Sequence, residues 1–263
     1  MAIDSITAMY EEAALMASYA PDILDGFLRQ WKKHVTGAGY RTIEDVVDEA
    51  RQKTGEKKVN IAGYSFGGLV ALAYTMENPD TVSKCITIAT PVKGTPTAYP
   101  LFSLLGVGIY PATVAQMLPG SRFISAMNSY FQAHNDKFIE KRITFENIRS
   151  IHDPLAPSQY TSLKEICPGA WNISEHNLEW KGHVGLLHDK RTCRILADTA
   201  AYSDYPTIFA PGFGLGKNSF RLLLESMRKA CPEEADKLDR MFMASYDYIK
   251  PIKAEKIMAE YGK

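Results

Sequence analysis

Residues Gly63, Tyr64, Ser65, Phe66 and Gly67 read G-x-S-x-G. The chemistry open to that spacing is nucleophilic attack by a single hydroxyl. An apolar run, residues 59–62, precedes the pattern, and "GLVALAY" follows it. The serine therefore falls at an expected strand-to-helix joint, the context that makes the motif informative. So sharp a turn strains the serine backbone, and the close approach of strand and helix leaves room only for glycine beside it. The helix starting behind the serine offers unpaired N–H groups and a positive dipole end, which suit the negative oxygen formed in acyl transfer. The competing reading is a glycine-rich turn without chemistry, or one that cradles a phosphate.

A serine hydroxyl is a poor nucleophile until a base takes its proton, and the base needs an acid to hold it. Six histidines are present: His34, His134, His152, His176, His183 and His188. His183 stands in "WKGHVGLLHD", where Gly182 and Gly185 frame a loop before an expected helix. His188 is its rival as base, against a reading as a polar residue on a helix surface. His176 reads as a loop histidine, and His152 as a surface or supporting residue. Asp153 follows an expected strand ending at Ile151. It would stand at the C-terminal edge where parallel sheets gather ligand and catalytic groups. A helix cap or an Asx-turn is the alternative role for Asp153.

The elements that must hold these residues alternate. Residues 1–36 read as helical. "RTIEDVVDEARQKTG" is an amphipathic helix with Thr42 as cap, Glu44 and Asp45 in the first turn and Gly55 at its end. "KVNIAGY" and "VSKCITIAT" are expected buried strands flanking the helix "GLVALAYTMENPD". "KRITFENIRSIHD" and "AWNISEHNLEWKG" supply a third and fourth strand, and "KRTCRILADTAAY" a helix. The alternation predicts one α/β domain, with a mostly parallel sheet and helices on both faces. Residues 97–140 are apolar but aperiodic and rich in Pro and Gly, and are expected to form a lid. Leu101, Leu105 and Met117 within it, with Tyr64 beside the serine, would line a greasy acyl pocket. Buried helix packing explains the same lid residues without a ligand.

The chain has 263 residues, 46% apolar and 23% charged, an ordinary globular composition. Thirty basic residues balance thirty acidic ones, which gives no electrostatic reason to expect nucleic acid as a partner. Cys85, Cys167, Cys193 and Cys231 are scattered without a C-x-x-C pair, so neither zinc nor a disulfide framework is expected. The N-terminus lacks the basic start and apolar core of a signal peptide, and a cytoplasmic location is expected. "YPLFSLLGVGIYPATVAQMLP" is interrupted by Pro111, so no stable membrane insertion is expected. "GFGLGKNS" lacks the spacing of a phosphate loop.

Residues 58–98, "KVNIAGYSFGGLVALAYTMENPDTVSKCITIATPVKGTPTA", resemble the nucleophile elbow and next strand of the α/β-hydrolase superfamily. The bacterial lipase/esterase branch is the most similar, through Thr90, Pro91, Gly94, Thr95 and Pro96 and through "AQMLPGSRFISAMN". The similarity covers about residues 40–190. There is also a resemblance to poly(hydroxyalkanoate) synthases, which use cysteine where this chain has Ser65. The resemblance implies Ser65 as nucleophile, Asp153 as acid and His183 as base, in that chain order. Pro154, directly after Asp153, departs from the family's acid loop.

The resemblance also implies the Phe66 N–H as one oxyanion donor. The second donor normally follows a strand that precedes the elbow, and nothing in residues 1–57 reads as such a strand. "YPTIFAPGFGLGKNSFRLLLESM" resembles the missing segment. A circular permutation is therefore expected, with strand 207–210 beside 59–62 and Phe213 or Gly212 completing the hole. The rival expectation is lost N-terminal strands, with 200–263 a helical appendage. The implied activity is a cofactor-free serine carboxylesterase or lipase acting on a small-molecule ester or lipid. An acyltransferase or polymer synthase is one alternative, and an inactive hydrolase fold used for binding is another.

Overall fold

The computed structural model describes residues 11–19, 21, 42–98, 112–212, 217–244 and 251–262. Among the described residues, six strands form one sheet: β1 (Val59–Tyr64), β2 (Val82–Ile88), β3 (Thr144–Arg149), β4 (Ile173–Asn177), β5 (Thr207–Ala210) and β6 (Met241–Met243). Their order is β4-β3-β2-β1-β5-β6, and every pairing is parallel. Parallel neighbours need long crossovers, and helices supply them. The described helices are α1 (residues 11–19), α2 (Ile43–Thr54), α3 (Phe66–Glu77), α4 (Ala112–Gln116), α5 (Arg122–Ala133), α6 (Asn135–Glu140), α7 (His183–His188), α8 (Lys190–Tyr202), α9 (Lys217–Ala230) and α10 (Glu255–Tyr261).

Alternation along the strands divides the core into two layers. Val59 and Ile61 of β1, Cys85 of β2, Phe145 of β3 and Ile208 of β5 face the layer of α2, α3, α5 and α10. Ala62 and Tyr64, Ile86 and Ile88, Ile148 and Phe209 face the layer of α1, α7, α8 and α9. α3 is buried on nearly every side, which its all-round apolar sequence requires. α2 is capped as its sequence predicts. Thr42 Oγ1 accepts the Asp45 N–H, Asp45 accepts the Thr42 N–H, and Gly55 closes the helix at φ 76°.

Three expectations need correction. Residues 122–140 are not aperiodic. Ser121 caps α5, whose buried face carries Phe123, Ile124, Met127, Tyr130 and Phe131. The rings of Phe131, Phe138 and Phe145 pack with centroids 4.9–5.8 Å apart, so this part of the expected lid belongs to the core. Pro111, Pro119 and Gly120 interrupt the apolar run around it and hide the helical period. His176 lies in β4, not a loop, with Nε2 2.6 Å from Glu146. Residues 200–263 are not a helical appendage, because they contribute β5 and β6 to the sheet. β5 lies beside β1, pairing Ala62 with Phe209 and Gly63 with Ala210.

Candidate active site

β1 is buried at all six positions and ends at Tyr64. The chain then turns at Ser65 with φ 53° and ψ −123°, and α3 begins at Phe66. A non-glycine residue there costs about 1–3 kcal/mol and persists only where its surroundings impose it. The Ser65 N–H donates to the Ile88 carbonyl at 2.8 Å, and the Gly68 N–H donates to the Ser65 carbonyl at 3.0 Å. These bonds tie the strained residue to β2 and to its own helix. β1 stands between β2 and β5, where chain connections leave in opposite directions, the usual position of a binding crevice in an open parallel sheet.

Two glycines let the chain close around this point. A Cβ on Gly67 would lie 2.2 Å from the Ala210 carbonyl oxygen and 2.4 Å from that of Pro211. A Cβ on Gly212 would lie 2.8 Å from the Tyr64 ring and 3.2 Å from the Ser65 Cβ. The backbone leaving β5 is thus pressed against the serine. Phe213, the other expected donor of this segment, lies outside the described residues.

Asp153 stands in the loop after β3 and is buried. Its Oδ1 accepts the N–H groups of Leu155 and Ala156, both at 2.9 Å. Its Oδ2 lies 2.7 Å from His183 Nδ1. The turn role and the histidine contact are therefore carried by different oxygens of one carboxylate. Pro154 fits this arrangement, because the turn uses the N–H groups of the next two residues.

His183 is the first residue of α7, after β4. Its Nε2 lies 2.9 Å from Ser65 Oγ. An ionised carboxylate has no proton to give, so Nδ1 carries the hydrogen and Nε2 accepts from the serine hydroxyl. Burial pulls the imidazole towards its neutral form. The charge and hydrogen bond of Asp153, with the charge of Glu12 behind them, outweigh this and hold His183 above the ordinary histidine value. The arrangement can take a proton from the serine and stabilise the resulting imidazolium.

Tyr64, expected at the substrate, is buried behind the site because alternation along β1 turns it to the other layer. Its hydroxyl donates to the His183 carbonyl at 3.2 Å. A cavity does open at Ser65 and His183, walled by Phe66, Thr95, Met117 and Leu155 among others. The hydroxyls of Thr95 and Thr97 lie 2.8 and 2.6 Å from the Leu155 carbonyl, which occupies their polarity with protein. Leu101 and Leu105 lie outside the described residues.

His188 is no surface residue. It is half-buried between the Tyr19 hydroxyl and Ser226 Oγ, and burial lowers its pKa. His152 stacks on Trp180 with centroids 4.0 Å apart and accepts the Trp180 N–H. One contact carried no motif at all. Glu12 accepts the N–H groups of Val184 and Gly185, directly after His183. The only hint in the sequence is the pair of glycines around His183, which leaves room for something large. Among the described residues, no group of three or more His, Cys, Asp or Glu could hold a metal ion, and no helix is long and apolar enough to cross a membrane.

A family model for the alpha/beta hydrolase fold matches residues 28–165. No curated protein matches the chain. Among solved structures, a monoacylglycerol lipase of Paleococcus ferrophilus is similar at 16% identity and a TM-score of 0.34, over 55% of this chain and 68% of that one. A structure from work on carboxylesterases of Nitrososphaera gargenis is similar at 16% identity and a TM-score of 0.39, over 63% and 74%. Carboxylesterase CesB of Bacillus subtilis is similar at 12% identity and a TM-score of 0.36, over 61% and 67%. By the family match, which spans more than half of its residues, the chain belongs to the alpha/beta hydrolase fold family.

Proposed function

We propose that this protein is a serine hydrolase that cleaves a lipid-like carboxylic ester through an acyl-serine intermediate. The observation that carries the reading is the continuous hydrogen-bonded chain from Asp153 Oδ2 through His183 to the hydroxyl of a backbone-strained Ser65. Ser65 Oγ bonds to the ester carbonyl carbon as its proton passes to His183 Nε2. The tetrahedral intermediate collapses, the alkoxide leaves, and His183 returns the proton to it. Water repeats the sequence against the acyl-serine and frees the acid. Asp153 keeps the hydrogen on Nδ1 throughout and stabilises the imidazolium.

The oxyanion forms beside the start of α3, where the Phe66 N–H is one donor. The second donor is assigned to Gly212 or Phe213, which follow β5 in the sequence, so the family's oxyanion segment would occur here in permuted order, after the histidine. The tight packing of Gly212 on Ser65 supports this reading. The chain is read as a single domain, and Met117 and its neighbours in the connection between β2 and β3 give the acyl group an apolar wall.

The test is hydrolysis of p-nitrophenyl esters of increasing acyl length, with and without an added alcohol. The reading predicts turnover by the wild type, release of free acid, and loss of turnover in Ser65→Ala. Acyl transfer to the alcohol in preference to water would assign the chain to acyltransferases, and no turnover of any ester by folded protein would overturn the reading.

A further inference from the structure

We propose that Glu12 is a positioning residue for His183, and that α1, the helix that carries it, clamps the short helix α7. The inference rests on the reading of His183 as general base. α1 lies before the 28–165 span that matches the family model.

The first-turn N–H groups of α7, as in any α-helix, find no acceptor within the helix. Glu12 satisfies two of them. Its Oε1 accepts the Val184 N–H and its Oε2 the Gly185 N–H, both at 2.8 Å. Bonds to a charged acceptor are about twice as strong as neutral ones. The carboxylate also faces the positive end of the α7 dipole. At the other end of α7, the Tyr19 hydroxyl pairs with His188 Nε2, while Ser226 holds Nδ1 at 2.7 Å.

Glu12, Leu15, Met16 and Tyr19 have the 3-4-7 spacing of one helix face. Leu15 and Met16 pack against the core layer that contains Val184, Leu186 and Leu187. One face of α1 therefore holds α7 at its start and at its end, and between those points packs on the core layer to which α7 belongs. The His183 backbone is held from two directions: Tyr64 donates to its carbonyl, and Glu12 binds the next two amides. Rotation of α7 about its axis would carry the imidazole away from Ser65, and these contacts oppose it.

The clamp also gives a physical account of the glycines around His183. A Cβ on Gly182 would lie 2.2 Å from the Glu12 carboxyl carbon, and one on Gly185 would lie 3.0 Å from Oε2. Both positions are small because a carboxylate occupies the space. That carboxylate is the second negative charge facing His183, after Asp153. It favours the imidazolium that forms when Ser65 attacks.

The test compares Glu12→Gln and Glu12→Ala with the wild type in kcat, KM, pH profile and amide exchange at Val184 and Gly185. Misplacing a reacting group by 1 Å can cost about 100-fold, so Glu12→Ala is expected to lower kcat by roughly 10- to 100-fold with KM little changed. Glu12→Gln keeps one acceptor oxygen without the charge and should recover part of kcat. Both variants should move the acid limb of the profile to lower pH, because the removed charge favoured protonated His183. Val184 and Gly185 amides should exchange faster in Glu12→Ala. Wild-type kcat and profile with unchanged exchange would overturn the clamp. If the wild type hydrolyses nothing, the hydrolase reading fails, and exchange at these two amides still decides the clamp. If Glu12→Ala does not fold, Glu12→Gln carries the same comparison.

Discussion

Gly67→Ala probes the contact between the start of α3 and the backbone leaving β5. The new Cβ would stand 2.2 Å from the Ala210 carbonyl oxygen, whereas real Cβ contacts begin near 3.0 Å. The two backbones must therefore separate by about 0.8 Å. Neither is a flexible side-chain tip. α3 continues from β1, and Ala210 is laddered to Gly63. Overpacking of this kind costs about 1–3 kcal/mol. At roughly 2–4 °C per kcal/mol for a chain of this size, Tm should fall by about 4–8 °C for a cost near 2 kcal/mol.

The separation also moves the Gly212 backbone away from Ser65, and a misplacement near 1 Å can cost about 100-fold in kcat/KM. The assay pairs thermal melting with ester turnover and uses Gly55→Ala as control. Gly55 has φ +76° and no atom within 4 Å of its Cβ position. The control should lose about 1–2 kcal/mol of stability through left-handed strain and keep its turnover. If both variants lose Tm and both keep full turnover, the link between this contact and the oxyanion site is refuted.

Asp153→Asn replaces the acceptor of the Nδ1 hydrogen with an amide and allows the wrong histidine tautomer. It should reduce kcat by roughly 10⁴-fold, and an unchanged kcat would remove Asp153 from the mechanism. Turnover should rise with pH as His183 loses its proton, with a midpoint above about 6.5, because Asp153 and Glu12 outweigh the effect of burial. The folded protein holds this proton more tightly than the unfolded chain. The stability from the charged pair is therefore full below about 6.5 and lost as pH rises through the higher folded value. The Tm difference between wild type and His183→Ala should narrow across that window, and a widening would contradict the sign.

Ser65 was legible because strand, glycine and helix signals converge on it within a dozen residues. Asp153 and His183 were legible because both follow strands, and strand ends meet at one edge of a parallel sheet. Glu12 was not, because a glutamate on an amphipathic helix reads as a solvated face until the partner helix is in place. β6 is three residues long, too short for any period to register. The direction of the Tyr64 side chain was not legible, because adjacency to a serine says nothing of direction. Alternation along β1 sends it to the opposite layer, where its hydroxyl supports the histidine. The pairing of β5 with β1 joins strands far apart in the sequence, and a glycine-rich exit from a short apolar run was its one local sign.

The most direct test of the central claim is intact-mass and peptide analysis after exposure to a fluorophosphonate, with wild type beside Ser65→Ala and His183→Ala. The account predicts a single adduct on Ser65 in the wild type, none in Ser65→Ala, and a much slower reaction in His183→Ala. An adduct on another residue, equal labelling without His183, or no labelling of folded protein would contradict it.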